Sequence, residues 1–352
     1  MKKLSILCLI IAIIFVGCNP INGVKDDATE DTSGSLDHSL AEISDYFPFL
    51  GNTVIEYQGI GNEFAEQKTF FEFIDGNKAQ MKVLNPGTNL IKIYELKNGT
   101  LTEVYMEGEF YHIENMLNAT SNKEDIILSE PIQVGNTWKS LDGYEREITG
   151  LDEIIETPYD TYTALEITTT FEEGRYQKEY YAKGVGLVAK IYTDNDMEVK
   201  SLINNMTSSS ISQGIELFYP LKNGNGLSFI EDSFLFRTND DIKELMESKM
   251  KDPIDDRLIP LLPKDVSINR INLDRGEWVV KIDLSDNFIE EINAGSSYEY
   301  ELVQGIVNTL GKYYDTDKVF ISLSDRPYES GHLQLEEGEI FKVSTEDIEE
   351  LE

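Results

Sequence analysis

From Tyr46 to about Met206 apolar and polar residues alternate with a period of two, and no sustained helical spacing interrupts them. That pattern predicts a run of half-buried strands. Asp75-Gly76, Asn98-Gly99, Asp142-Gly143 and Glu173-Gly174 punctuate it, and such pairs between alternating runs mark hairpins. Leu101, Val104-Tyr105 and Phe110 to Ile113 read as strands of a meander, and Thr161 to Phe171 has the Thr, Tyr and Ile content of a pleated surface. A weak repeat links Phe47-Pro48-Phe49-Leu50-Gly51-Asn52-Thr53 with Glu130-Pro131-Ile132-Gln133-Val134-Gly135-Asn136-Thr137-Trp138. Each copy precedes a strand, so two hairpin units with the same lead-in turn are expected.

Beyond a serine-rich stretch at 207–214 the pattern becomes mixed. Ile215 to Tyr219, Leu227 to Phe236, Val266 to Leu273, Trp278 to Leu284 and Val319 to Leu323 read as strands. Thr238 to Met250 reads as a helix with a Thr238/Asp241 capping box and one face of Ile242, Leu245, Met246 and Met250. A second helix follows a Ser296/Glu299 capping box, with Leu302, Val303, Ile306, Val307 and Leu310 as its stripe. The fold class predicted is α+β: an N-terminal curved antiparallel sheet or half-barrel, then a small α/β domain.

The start of the chain changes where this fold is expected to work. Lys2 and Lys3 precede an apolar run, Leu4 to Val16, too short for a membrane span, which takes about 20 residues. Phe15-Val16-Gly17-Cys18 follows the lipobox pattern of a bacterial lipoprotein signal peptide. Cys18 is the expected lipidation site, and two acyl chains anchor a protein stably. The organisation predicted is a signal peptide at 1–17, an acidic tether at 18–44, a β domain at 45–206, a linker at 207–214, an α/β domain at 215–345 and a frayed acidic tail at 346–352. Location on the extracytoplasmic face of the cell membrane follows.

Charge narrows the partners. Sixty-five acids face 30 bases, a net charge of −35. Such a polyanion is repelled by nucleic acid and reads first as a solubility device. Cys8 and Cys18 are the two cysteines, so once the leader is cleaved no disulfide can form within the chain, and stability must come from packed cores.

Residues Glu216 to Lys342 resemble the GerMN domain family of sporulation and spore-germination lipoproteins. The resemblance rests on Leu217-Phe218-Tyr219-Pro220, Leu262-Pro263 before Val266-Ser267-Ile268, Val279 to Ser285 with Phe288, Gln304 to Leu310, Lys318-Val319-Phe320-Ile321 and Gly331-His332-Leu333. It implies a small α/β unit similar to ring-building modules of sporulation secretion assemblies, with an assembly role and no catalytic residues. The N-terminal region is similar to uncharacterised clostridial-type lipoprotein domains through its two Gly-Asn-Thr turns and Tyr180-Tyr181-Ala182-Lys183-Gly184-Val185-Gly186-Leu187-Val188. That resemblance implies a curved sheet.

Catalytic chemistry is not signalled. His38, His112 and His332 are scattered, whereas zinc takes three or four ligands. No Gly-x-Ser-x-Gly elbow and no phosphate-binding glycine loop occur. Asp194-Asn195-Asp196 lacks the remainder of an EF-hand and reads as a turn. Trp138, Trp278 and Tyr298, Tyr300, Tyr313 and Tyr314 read as packing residues, the tryptophans alternatively as stacking faces for a sugar and the tyrosines as a partner-facing surface. No cofactor is expected. The function predicted is a non-enzymatic envelope scaffold or adaptor in sporulation or germination, meeting an envelope protein or its own copies through the free face of the second helix: Tyr298, Glu301, Asn308 and Lys312. The alternative is a module that binds a lipid or a peptidoglycan fragment in the mouth of a rolled sheet.

Overall fold

The computed structural model describes residues 42–224, 226–333 and 339–351. The expected signal peptide, Cys18 and most of the tether lie outside the described residues. A short helix, α1 (Ile43–Tyr46), comes first. Twelve antiparallel strands follow: β1 (Thr53–Ile60), β2 (Gln67–Asp75), β3 (Lys78–Leu84), β4 (Asn89–Lys97), β5 (Thr100–Gly108), β6 (Asp125–Ser129), β7 (Thr137–Lys139), β8 (Glu145–Glu156), β9 (Thr161–Glu172), β10 (Arg175–Ala182), β11 (Gly186–Asp194) and β12 (Met197–Ser208). They form one sheet, ordered β6-β5-β4-β3-β2-β1-β12-β11-β10-β9-β8-β7. It is two six-strand meanders joined where β1 pairs with β12. The two Gly-Asn-Thr turns lead into β1 and β7, the first strand of each meander.

Every hairpin expected from the turn pairs forms. Asn98 and Gly99, with φ of 53° and 73°, turn β4 into β5, a left-handed conformation that Asn and Gly tolerate. Asp194-Asn195-Asp196 likewise turns β11 into β12.

The sheet curls until its edges, β6 and β7, meet, and side chains close the seam. Trp138 Nε1 donates to Ile126 O at 2.9 Å and Asn136 Nδ2 to Ser129 O at 2.9 Å. Arg146 donates to Ile126 O and to both oxygens of Asp125, at 2.8 and 3.2 Å. These donors occupy carbonyls that an open edge strand would present to another chain. Burial pushes the Asp125 carboxyl up, but the bonds from Arg146 and Leu141 N outweigh it and hold it below its usual range. At one end α1 plugs the barrel. Ile43, Tyr46 and Phe47 are buried in one cluster with Tyr94, Leu101 and Tyr181.

The C-terminal part begins with the hairpin β13 (Ile211–Pro220) and β14 (Leu227–Phe236), followed by α2 (Ile242–Lys251). Then come β15 (Ile268–Asp274), β16 (Val279–Leu284), α3 (Phe288–Ile292), α4 (Ser296–Tyr313) and β17 (Lys318–Leu323). β17 runs parallel to β16 after the helical crossover. The stripe of α4 is buried as expected, with Leu302, Val303, Ile306, Val307 and Leu310 at 1% exposure or less. Gly305 lets α4 approach β13 closely, because a Cβ there would sit 2.4 Å from Phe218 O.

Several expectations are corrected. The serine-rich stretch is paired backbone: Thr207 and Ser208 lie opposite Val54 and Thr53, and Ser212 to Gly214 lie opposite Leu235 to Ser233. The linker shrinks to Ser209-Ser210. Phe110 to Ile113 is a loop, because the chain leaves β5 to reach the C-terminal part. Asp241 is itself the N-cap of α2, accepting from Lys243 N at 2.9 Å. Thr238 instead ties the barrel, accepting from Asn52 N at 2.7 Å and donating to Phe71 O at 2.7 Å. Glu299 does not cap α4; it is buried and accepts from Tyr328 Oη at 2.7 Å. The acidic tail is docked through residue 351: Leu351 N donates to Phe229 O at 2.9 Å, satisfying edge carbonyls of β14.

One apolar core continues from the outer face of β2 and β4 into the C-terminal part. It includes Phe73, Ile91 and Ile93 on one side and Phe236, Val303 and Tyr314 on the other.

Candidate functional site

The barrel encloses a cavity of about 510 Å³, within the range of small-molecule sites. It extends from the α1 plug, where Phe47 and Leu50 line it, to the β1–β2 connection, where Phe64 lines it and is 57% exposed. An aromatic ring at the open end is an exposed apolar contact.

The wall has two chemistries. Strands β1 to β3 contribute Ile55, Phe71, Met81 and Val83, with Leu187 beside them. The wall built from β4 to β6, β8, β10 and β11, with Lys123 from the segment before β6, is charged. Lys92, Lys123, Arg146 and Lys190 line it together with Glu103, Asp125 and Glu179. Four cations against three acids give the cavity a positive excess inside a chain of −35. Glu103 binds two lysines, Lys92 at 3.0 Å and Lys123 at 2.6 Å. Lys190 stands 3.8 Å from Glu179.

The lysines are more exposed than the acids they pair with, while Arg146 and Asp125 are equally covered at 11%. The side chains of Glu103, Asp125 and Glu179 are 2%, 11% and 12% exposed, whereas those of Lys92, Lys123 and Lys190 are 28%, 19% and 43% exposed. The lysines are thus the more accessible members of these pairs.

Sequence patterning missed this site because alternation reads apolar positions as inward. In β4, Ile91 and Ile93 face out of the barrel and join the core shared with the C-terminal part, while Lys92 and Tyr94 line the cavity. A lysine between two isoleucines is the signal that was present.

Behind the barrel, polar groups fix the C-terminal part. Glu72, Gln80 and Lys82 are almost fully buried. Lys82 Nζ lies 3.4 Å from Glu72 Oε1 and donates to His112 O at 2.6 Å. Gln80 donates to Glu72 at 2.7 Å and accepts from Met116 N at 2.8 Å. Burial pushes the Glu72 carboxyl up and the Lys82 amine down, each opposed by the other's charge. Arg275, in the turn between β15 and β16, binds Glu107 and Glu114 at 2.7 Å each. Tyr313 Oη accepts from Ile113 N at 2.9 Å. Tyr313 and Tyr314 are therefore packing residues.

The surface expected on α4 is divided. Lys312 is exposed and Tyr298 and Glu301 are half-buried. Asn308 is fully buried, correcting its expected place on a free face. Residues 341–344 lie over it: Asn308 donates to Ser344 O at 2.7 Å and accepts from Ser344 N at 2.9 Å. Tyr300, which is 54% exposed, lines a groove with Glu301, Gln304 and Ile348. Among the described residues no group of three His, Cys, Asp or Glu side chains is placed to hold a metal ion. No described helix is long and apolar enough to cross a membrane.

Comparison with known proteins bears on the C-terminal part. Residues 216–329 match the family model described as "Germane: Sporulation and spore germination", in agreement with the GerMN resemblance read from the sequence. Among solved structures the chain is similar to the first GerMN domain of the sporulation protein GerM from Bacillus subtilis, at 17% identity over 38% of this chain and 98% of that one, TM-score 0.28. The tandem GerMN domains of the same protein match at 17% identity over 38% of this chain and 46% of that one, TM-score 0.29. A candidate lipoprotein from Parabacteroides distasonis is similar at 16% identity over 46% of this chain and 98% of that one, TM-score 0.30. No curated protein matches the chain.

Proposed function

We propose that this chain is a non-enzymatic binding protein of the cell envelope that holds an amphipathic ligand in its barrel and carries a Germane-type domain fixed to the barrel's outer face. The observation that carries the reading is the cavity of about 510 Å³, with one apolar wall and one charged wall. Globular cores are filled to crystal-like density, so an unfilled space of this size inside the barrel is a place for a guest. The Germane match connects the protein to sporulation or spore germination. The Phe15-Val16-Gly17-Cys18 sequence supports a lipid anchor at Cys18 and work on the outer face of the membrane.

The test is native mass spectrometry of the full chain, purified without detergent exchange from sporulating cells. One apolar or amphipathic guest per chain is expected. A chain that is bare, and that also fails to take up a polarity-sensitive fluorescent amphiphile at one per chain, overturns the reading.

A second reading, assembly or adaptor work, is supported by the groove at Tyr300, Glu301 and Gln304. Exposed tyrosine is enriched at protein interfaces. Crosslinking from Tyr300 should then capture an envelope protein or a second copy, and Tyr300→Ala should abolish capture without altering folding.

A further inference from the structure

Resting on the binding reading, we infer that the guest is an anionic amphiphile: an apolar chain lying along β1 to β3, with a carboxylate or phosphate held by Lys190, Lys92 and Lys123. The sorting of charge by depth carries this. Each lysine of the wall is more exposed than its partner acid, whereas Arg146 and Asp125 are equally covered. Glu103 already neutralises one of its two lysines, which leaves the other uncompensated. Lys190 is 43% exposed and only loosely engaged by Glu179.

An anion placed there gains charge-assisted hydrogen bonds in a site partly screened from water. A cationic headgroup would meet a wall with four cations and three acids, the acids already engaged by Lys92, Lys123, Arg146 and Lys190. The surrounding chain, at −35, repels anions in general. Selective uptake therefore depends on the apolar wall as well as the lysines: Ile55, Phe71, Met81 and Val83 supply the burial that draws in a chain-bearing anion. A small anion without an apolar chain lacks that contribution.

Calorimetric titration of the full chain with four twelve-carbon probes below their micelle concentrations tests this: dodecanoate, dodecyl phosphate, dodecyl maltoside and dodecyltrimethylammonium. One-to-one binding of the two anions is expected, at least about tenfold tighter than the neutral and cationic probes. The ratio of dodecanoate to dodecyl phosphate tells a fatty-acid guest from a phospholipid-type one. Lys190→Gln should weaken the anions by about tenfold and leave the maltoside unchanged, with an unaltered melting temperature because Lys190 is partly exposed. Lys92→Gln, in which Lys123 still holds Glu103, is the second variant and should act in the same direction. If all four probes bind alike and neither variant discriminates, the cavity binds amphiphiles but the anionic assignment is wrong. If none binds, the binding reading fails with it.

Discussion

Lys82→Met removes the cation from a pair enclosed between the barrel and the loop that reaches the C-terminal part. Glu72 is 0% exposed and Lys82 is 2% exposed, so water cannot replace the lost amine. Removing one partner of a buried pair costs about 3–5 kcal/mol, a large part of the stability of an ordinary domain, about 5–15 kcal/mol. The double variant Glu72→Gln/Lys82→Met should recover most of this loss, since replacing both charges is often close to neutral. The pH dependence follows from Glu72. Burial already raises its carboxyl above the usual 4.5, with Lys82 opposing the rise. Without Lys82 the carboxyl rises further. A raised carboxyl favours the folded state below its unfolded pKa, and that contribution is lost as pH rises through the folded pKa. The single variant should therefore be destabilised more at pH 8 than at pH 5 relative to the parent, and the double variant should show no such slope. Urea unfolding followed by Trp138 in β7 and Trp278 in the C-terminal part, each isolated by replacing the other with Phe, reads both halves at once. Coincident transitions are expected, because the apolar core is shared. A single-variant cost under about 1 kcal/mol without pH dependence is what a solvated surface pair gives, and would refute this packing.

The seam makes a second prediction: Arg146→Ala removes donors from Asp125 and Ile126 O, should cost about 2 kcal/mol, and should speed amide exchange in β6. In the parent, the contribution of the lowered Asp125 carboxyl is present above its unfolded value and lost as pH falls through the folded one, so the difference between parent and variant should shrink at low pH. Gly305→Ala gains about 1 kcal/mol of helix propensity, but its Cβ would meet Phe218 O at 2.4 Å and Leu261 Cδ2 at 2.6 Å; net destabilisation by about 1–2 kcal/mol is expected in thermal unfolding. Cys18→Ala should move the protein from the detergent phase to the aqueous phase in partitioning, and unchanged partitioning would remove the lipid anchor from the account.

The period-two alternation and its Asp-Gly and Asn-Gly turns made the hairpins of β2–β3 and β4–β5 legible, and the apolar stripe made α4 legible, because local backbone preference and burial agree at those positions. Glu299 and Asp241 deceived at the helix starts. Ser-x-x-Glu spacing satisfies a capping pattern, but a buried tyrosine hydroxyl, Tyr328, offered Glu299 a stronger partner. Asn308 sits opposite Leu310 and Ile306 in spacing terms, yet residues 341–344 cover it: Ser344 O accepts from Asn308, and Ser344 N and, from within α4, Gln304 donate to it. Chain segments far apart in sequence leave no periodic trace. The cavity was hidden for a different reason: the barrel's outer face is as apolar as a core because it packs on the C-terminal part, so inward lysines looked like solvent-facing ones. The role of Arg275 left no local signal because its partners, Glu107 and Glu114, lie more than 150 positions away.

The most direct measurement of the central claim is a crystal structure of the full folded chain grown with dodecyl phosphate. One molecule is expected inside the barrel, its alkyl chain against Ile55, Phe71 and Met81 and its phosphate within hydrogen-bond distance of Lys190, Lys92 or Lys123. A barrel whose interior collapses around Tyr94 and Leu187 without a guest, or a probe bound only on the outer surface, would contradict it.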